Sequence, residues 1–174
     1  MPLSQQVCTF FNGDNLLLIS KCITIASMGI GAGAGVAMNG TIMPTLTKLS
    51  GASAVSFWSQ MAHPAKMTQL SSLITAFLGG VGVYYKTKNK YFLYGSLLML
   101  SIIPYTVVMF LPINRELFAF AKSGLADVDG SFARKIVTWN RNQYGRTALN
   151  FAALFTTLYG ALKEGEGDNK EKPE

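Results

Sequence analysis

Few side chains in this sequence can do chemistry, and most of them gather in two stretches. One is IPYTVVMFLPINREL at residues 103–117, where an uncharged run ends in Asn114, Arg115 and Glu116. The other is WNRNQYGRTALNF at residues 139–151. There Trp139, Gln143, Arg146 and Asn150 recur at i, i+4, i+7 and i+11, which is one face of a helix. Tyr105 belongs to the first stretch and follows Pro104, whose missing N–H kinks a helix and opens space beside it. His63, the single histidine, precedes Pro64. A following proline biases a residue toward extended backbone, which predicts a loop at the mouth of a helix. Amide, guanidinium, phenol and imidazole groups bind carbonyl or anionic oxygens and move protons. The sequence has no CxxC pair, phosphate loop or nucleophile elbow, and acids are almost absent from its apolar segments. A metal site has no obvious ligands, and the inventory fits chemistry done without a tightly held metal, flavin or haem.

These residues have to be positioned by elements suited to lipid. The chain has 174 residues, of which 49% are hydrophobic and only 14% charged, against roughly 25% charged in a soluble domain. Between Asp14 and Lys48 the only charge is Lys21, and none occurs from Tyr91 to Asn114. Four segments approach the roughly 20 apolar residues needed to cross a bilayer core: residues 16–38, 67–85, 91–113 and 147–162, the last short enough that its helix should begin near Thr138. The expected fold is all-α, an integral membrane four-helix bundle with an interfacial loop or helix between the third and fourth helices. Residues 1–15 read as an N-terminal tail, 16–163 as one membrane domain and 164–174 as a disordered charged tail. KTKNK makes a tight turn between helices two and three. Loops at residues 44–66 and 114–146 then share the opposite side, so His63, Asn114 and Arg146 face one interface.

The net charge of +6 does not point to nucleic acid, because the Lys and Arg residues flank apolar segments and form no basic stripe or module. Cys8 and Cys22 make no disulfide framework, and MPLSQQVCTFFNGD lacks the basic start and apolar run of a cleavable signal. Gly29, Gly31 and Ala34 match a relaxed dinucleotide fingerprint, but in mid-span rather than after a strand. Gly29/Gly33 and Gly31/Gly35 read instead as small-residue pairs for close helix packing, as do Gly79, Gly80 and Gly82. The polar residues also have structural readings. Arg115, Arg141 and Arg146 can snorkel to headgroups, Trp139 and Tyr144 can anchor at the interface, and Asn150 can join two helices.

PYTVVMFLPINREL and WNRNQYGRTALNF carry a resemblance to the anthrone oxygenase-like family of small four-helix membrane proteins. The shared pattern is Pro104-Tyr105-Thr106, Asn114-Arg115, Trp139 and Arg146, with Pro44 after the small-residue first helix. Bacterial-type relatives often place Asn or His four residues after the Trp, where this chain has Gln143. The resemblance implies oxidation of an aromatic polyketide anthrone to its anthraquinone by molecular oxygen, with no cofactor. It also implies a multi-pass, endomembrane location and a small aromatic polyketide and membrane lipid as partners. In that chemistry a base takes a proton from the acidic methylene, the enolate reacts with oxygen, and the hydroperoxide loses water. His63 would serve as base, since imidazoles titrate near neutrality. Arg146 and Asn114 would stabilise the oxyanion, and Tyr105 would orient or relay the proton. Trp139 and Tyr144 would stack on the rings, Arg115 or Arg141 would attract phenolates, and Asn150 would complete the binding face. The rival reading is a non-enzymatic carrier or scaffold of a polyketide pathway.

Overall fold

The computed structural model describes residues 13–49, 51–123 and 130–170, with side chains through Glu164. Every long element is a helix. The first, α1 (Gly13–Ala37), runs through a π-helical turn (Met38–Ile42) into the short α2 (Met43–Leu46). The Met43 N–H bonds the carbonyl of Met38. Pro44 then falls in the first turn of α2, a position its fixed φ suits. The others are α3 (Gly51–Thr87), α4 (Lys90–Met109), α5 (Leu111–Ser123) and α6 (Ser131–Lys170). α1 packs on α3 and α6, and α4 packs on the same two, so the helices form a ring in up-down-up-down order.

Gly13–Leu46, Gly51–Thr87 and Lys90–Met109 are long and apolar enough to cross a membrane. Their outer faces expose Leu18, Ile23, Ile30, Leu78, Leu97 and Val108, and α6 adds Phe155 and Leu162. An apolar exterior of this kind suits lipid rather than water, and the chain is a membrane protein. α3, at 37 residues, is roughly 55 Å long by helical rise, well beyond the roughly 30 Å hydrocarbon core. Its first half therefore reaches the interface or beyond.

Several boundaries differ from the sequence reading. α1 starts at Gly13, not residue 16; residues 1–12, with Cys8, lie outside the described residues. The loop expected at residues 44–66 is mostly helix, and His63 and Pro64 sit inside α3. Proline forfeits one backbone bond there, while buried Ala54, Val55 and Trp58 hold the preceding turns against the core. The third helix ends at Met109 rather than residue 113, because Pro112 brings no N–H to the ladder. The chain bends at Phe110 and restarts as α5, so Asn114 and Arg115 belong to a separate interfacial helix. α6 begins at Ser131, earlier than Thr138. The tail expected to be disordered continues as helix to Lys170. Its Glu164 binds Lys21 at 2.8 Å and the Asn89 amide at 3.0 Å.

The turn between α3 and α4 is as short as expected, with Lys88 at φ 59° and Asn89 capping α4 by accepting from the Tyr91 N–H. Of the glycine pairs, Gly31 and Gly35 lie against Asn150 and Thr147 of α6, while Gly29, Gly33 and Gly82 face open space. At Gly95 a Cβ would stand 3.1 Å from the Ala153 carbonyl, which is backbone and cannot move aside. Gly95→Leu should therefore lower stability by about 1–3 kcal/mol through overpacking. Gly33→Leu, with nothing within 4 Å of its Cβ, should leave stability unchanged or raise it. Thermal unfolding of the two variants in detergent checks both.

Candidate functional site

Residues of the first two-thirds of α3, of α4 and of α5 line a cavity of about 770 Å³, closed on the inner side by Trp139 and Arg146 of α6. Small-molecule sites commonly fall between roughly 300 and 1,000 Å³. Leu73, Ile102 and Ile103 line its membrane-side end, and Trp58, Phe118 and Lys122 line the other. Leu70, Ile103, Val107 and Leu111 are lining residues that are also exposed, so the mouth is bordered by apolar groups that face lipid.

The bend at Phe110 shapes this space, and side chains of α6 hold it. Asn142 donates from Nδ2 to the Met109 carbonyl at 3.1 Å, satisfying an acceptor left open where α4 ends. Tyr105 donates its hydroxyl to the Asn142 carbonyl at 2.8 Å. Its ring rests on Gly145, where a Cβ would stand 2.9 Å from Cζ. Phe110 itself is buried, with Trp139 edge-on at 5.3 Å and the Arg146 guanidinium over its face at 4.5 Å.

Of the residues expected at a site, five line the cavity: His63, Asn114, Arg115, Trp139 and Arg146. The Trp139 indole N–H donates to Asn114 Oδ1 at 2.9 Å. An indole can only donate, so it fixes the amide orientation and leaves Asn114 Nδ2 as a donor. Arg146 gives one terminal nitrogen to Gln143 Oε1, while its Nε is buried without a partner. His63 and Arg115 are exposed at the rim. Because His63 is helical, its side chain has a fixed register with Lys66, one turn on.

The other four do not line it. Tyr105 is a bracing residue, bonded to backbone rather than free to relay a proton. Arg141 and Tyr144 are exposed on the side of α6 away from the buried face of Trp139, Gln143 and Asn150. Asn150 is buried, donates to the Arg146 carbonyl at 2.9 Å and lies against Gly31, so it joins helices. The sequence reading missed Trp58, Lys66, Gln69, Phe110 and Lys122, all of which line the cavity. Lys66 follows His63 by three residues and Lys122 follows Arg115 by seven. Those spacings become meaningful only once both segments are known to be helical.

A long-helix membrane bundle with a greasy cavity edged by amide and cationic donors defines the class of this protein. The family model described as anthrone oxygenase matches residues 58–156, more than half of the chain, so the chain belongs to that family. That span runs from Trp58 on α3 to the middle of α6 and contains every cavity residue named here except Met38 of the π-helical turn. No curated protein and no solved structure matches the chain.

Trp139→Phe keeps the ring but removes the α6–α5 hydrogen bond to Asn114. It should cost about 1–2 kcal/mol and speed amide hydrogen exchange in α5 while leaving α1 protected. Exchange measured by mass spectrometry on the detergent-solubilised protein checks this.

Proposed function

We propose that this protein is a cofactor-independent oxygenase, converting an aromatic polyketide anthrone to the anthraquinone with molecular oxygen inside the α3/α4–α5 cavity. The reading rests on family membership. The single observation that carries it further is that Asn114 Nδ2 and Arg146 lie in one apolar cavity with one imidazole at its rim.

The reaction needs little from the protein beyond these groups. His63 takes one proton from the methylene of the bound anthrone. The electron pair moves onto the ring ketone, and Asn114 and Arg146 stabilise that enolate oxygen. Donors aimed at developing charge act most strongly where water is scarce. The enolate carbon passes an electron to oxygen and combines with the resulting superoxide, forming a C–O bond, and the peroxide takes the proton back from His63. Loss of the remaining methylene hydrogen, with cleavage of the O–O bond, releases water and leaves the second carbonyl. One oxygen molecule gives one quinone and one water.

The same reading makes α6 a fourth crossing and the protein a multi-pass resident of an endomembrane. Its partners are then the aromatic substrate and the surrounding lipid. Apolar groups at the cavity mouth support delivery from the bilayer, where a flat polyketide partitions.

Purified protein in detergent, given an anthrone and no added cofactor, should consume oxygen and form quinone in equal amounts, with and without a metal chelator. Arg146→Met should lower kcat/KM by about 10²–10³-fold, the usual cost of losing an oxyanion donor. His63→Ala should lower it by about 10²-fold or more, and Lys86→Gln at the opposite end should not change it. Full activity in His63→Ala would remove the base from the scheme. Absence of both oxygen uptake and quinone would leave the carrier or scaffold reading.

A further inference from the structure

The cavity has a charge pattern that proton abstraction does not require. α5 presents Arg115 and Lys122 to it, seven residues apart and so on one face, and α3 presents His63 and Lys66, one turn apart. The two rows face each other across the same space. Arg146 adds a fifth basic side chain at its wall, and among the described residues no carboxylate lines the cavity. Glu116, next to Arg115, is turned away and bound to Lys135. Among the described residues, Lys66, Arg115 and Lys122 form no ion pair. The opposite end, at Leu73, Ile102 and Ile103, is purely aliphatic.

His63, Lys66, Arg115 and Lys122 are all exposed at the rim, and like charges beside an apolar wall repel one another more strongly than in open water. A bound anion relieves that repulsion, and the aliphatic end excludes a small inorganic one from most of the volume. We infer that the cavity selects an anionic substrate: a flat aromatic carrying an ionised carboxylate, held by Lys66, Arg115 and Lys122 with its ring system lying toward Leu73 and Ile102. This rests on the oxygenase reading for the identity of the ring system. It makes Lys66 and Lys122 specificity residues that bind the substrate at a distance from the reacting carbon. It also implies that the reaction supplying the substrate leaves the carboxylate in place, and that any decarboxylation comes afterwards.

The only two tryptophans, Trp58 and Trp139, both line the cavity, so their fluorescence reports its occupancy independently of turnover. The probes are an anthracene carboxylate and the isosteric anthracene carboxamide, which absorb where tryptophan emits and have no methylene to oxidise. They are titrated into full-length protein in non-ionic detergent. The carboxylate should quench at about tenfold lower concentration than the carboxamide, a gap that narrows with salt. The Lys66→Gln/Lys122→Gln double variant should reduce that preference to less than about threefold, and Lys66→Arg/Lys122→Arg should retain it.

Equal affinity for the two probes in the wild-type protein overturns the inference by itself, even if the glutamine variant fails to fold. So does a preference that survives the glutamine substitutions. Displacement of the carboxylate by phosphatidylglycerol but not by phosphatidylcholine would assign the cationic rows to a lipid headgroup and also overturn it. Charge selectivity without anthrone turnover would instead remove the oxygenase reading and leave the anion site standing.

Discussion

The break at Phe110 is the constraint on which the interfacial half of the molecule depends. Pro112 ends the ladder, but a proline alone sets no direction. Direction comes from α6, where Asn142 caps the last carbonyl of α4, Tyr105 leans on Gly145, and Arg146 lies over the Phe110 ring. The cation–ring contact is worth about 0.5–2 kcal/mol, more as the pair is desolvated. Each of these contacts joins α6 to the bend, so the cavity wall is as rigid as the bundle behind it.

The same residues explain how a polar helix is tolerated inside an apolar bundle. α6 carries Asn142, Gln143, Thr147, Asn150 and Thr157 on its buried face. Such groups are costly in a membrane unless they face protein or a water-filled space. Most of them bond to backbone on their own or a neighbouring helix: Asn142 to Met109, Thr147 to Gln143 and Asn150 to Arg146. Asn39, on the π-helical turn, donates to Thr147 at 3.1 Å. Glycines at 31 and 35 give that polar face room by letting α1 approach. Among the described residues of α6 the side-chain atoms left buried and unbonded are Asn140 Oδ1, Gln143 Nε2, Arg146 Nε and Thr157 Oγ1, and of these residues Arg146 lines the cavity.

Most of the fold was legible because lipid imposes strong rules. Apolar runs with one charge or none marked α1 and α4, the KTKNK turn made α3 the hairpin partner of α4, and the i, i+4, i+7, i+11 pattern placed the inner face of α6. The interfacial part was harder because those rules weaken at the membrane surface. Pro64 argued for a loop, yet the packing of Trp58 and its neighbours outweighs one lost hydrogen bond. The end of the apolar run at Asn114-Arg115 does not announce a separate helix, because a bend and a restart leave no stronger local trace than Pro112. Five of the nine expected site residues still line the cavity, since their side of the membrane followed from topology alone. The misassigned ones differ in kind. Tyr105 and Asn150 are inward but committed to neighbouring helices, and no spacing rule separates a buried polar group facing a cavity from one facing a backbone carbonyl.

Reading residues 51–66 as helix changes more than a boundary. In a loop, His63 and Lys66 would have no fixed relation to Arg115 or Lys122. As parts of α3 and α5 they form two rows across one space, and each row spans about two turns or less. Helical backbone fixes the register within each row, so the positions that carry the charges keep a spacing that a loop would not hold. The backbone that carries these donors is ordered before any ligand arrives, which lowers the cost of binding. On the proposed reading Lys66, Arg115 and Lys122 hold the carboxylate while Asn114 and Arg146 hold the ring oxygen, so charge recognition and oxyanion stabilisation act on different parts of one substrate. Binding free energy gained at the rim then fixes the ring system against the reacting groups, a use of remote contacts that raises turnover when they hold the geometry of the transition state.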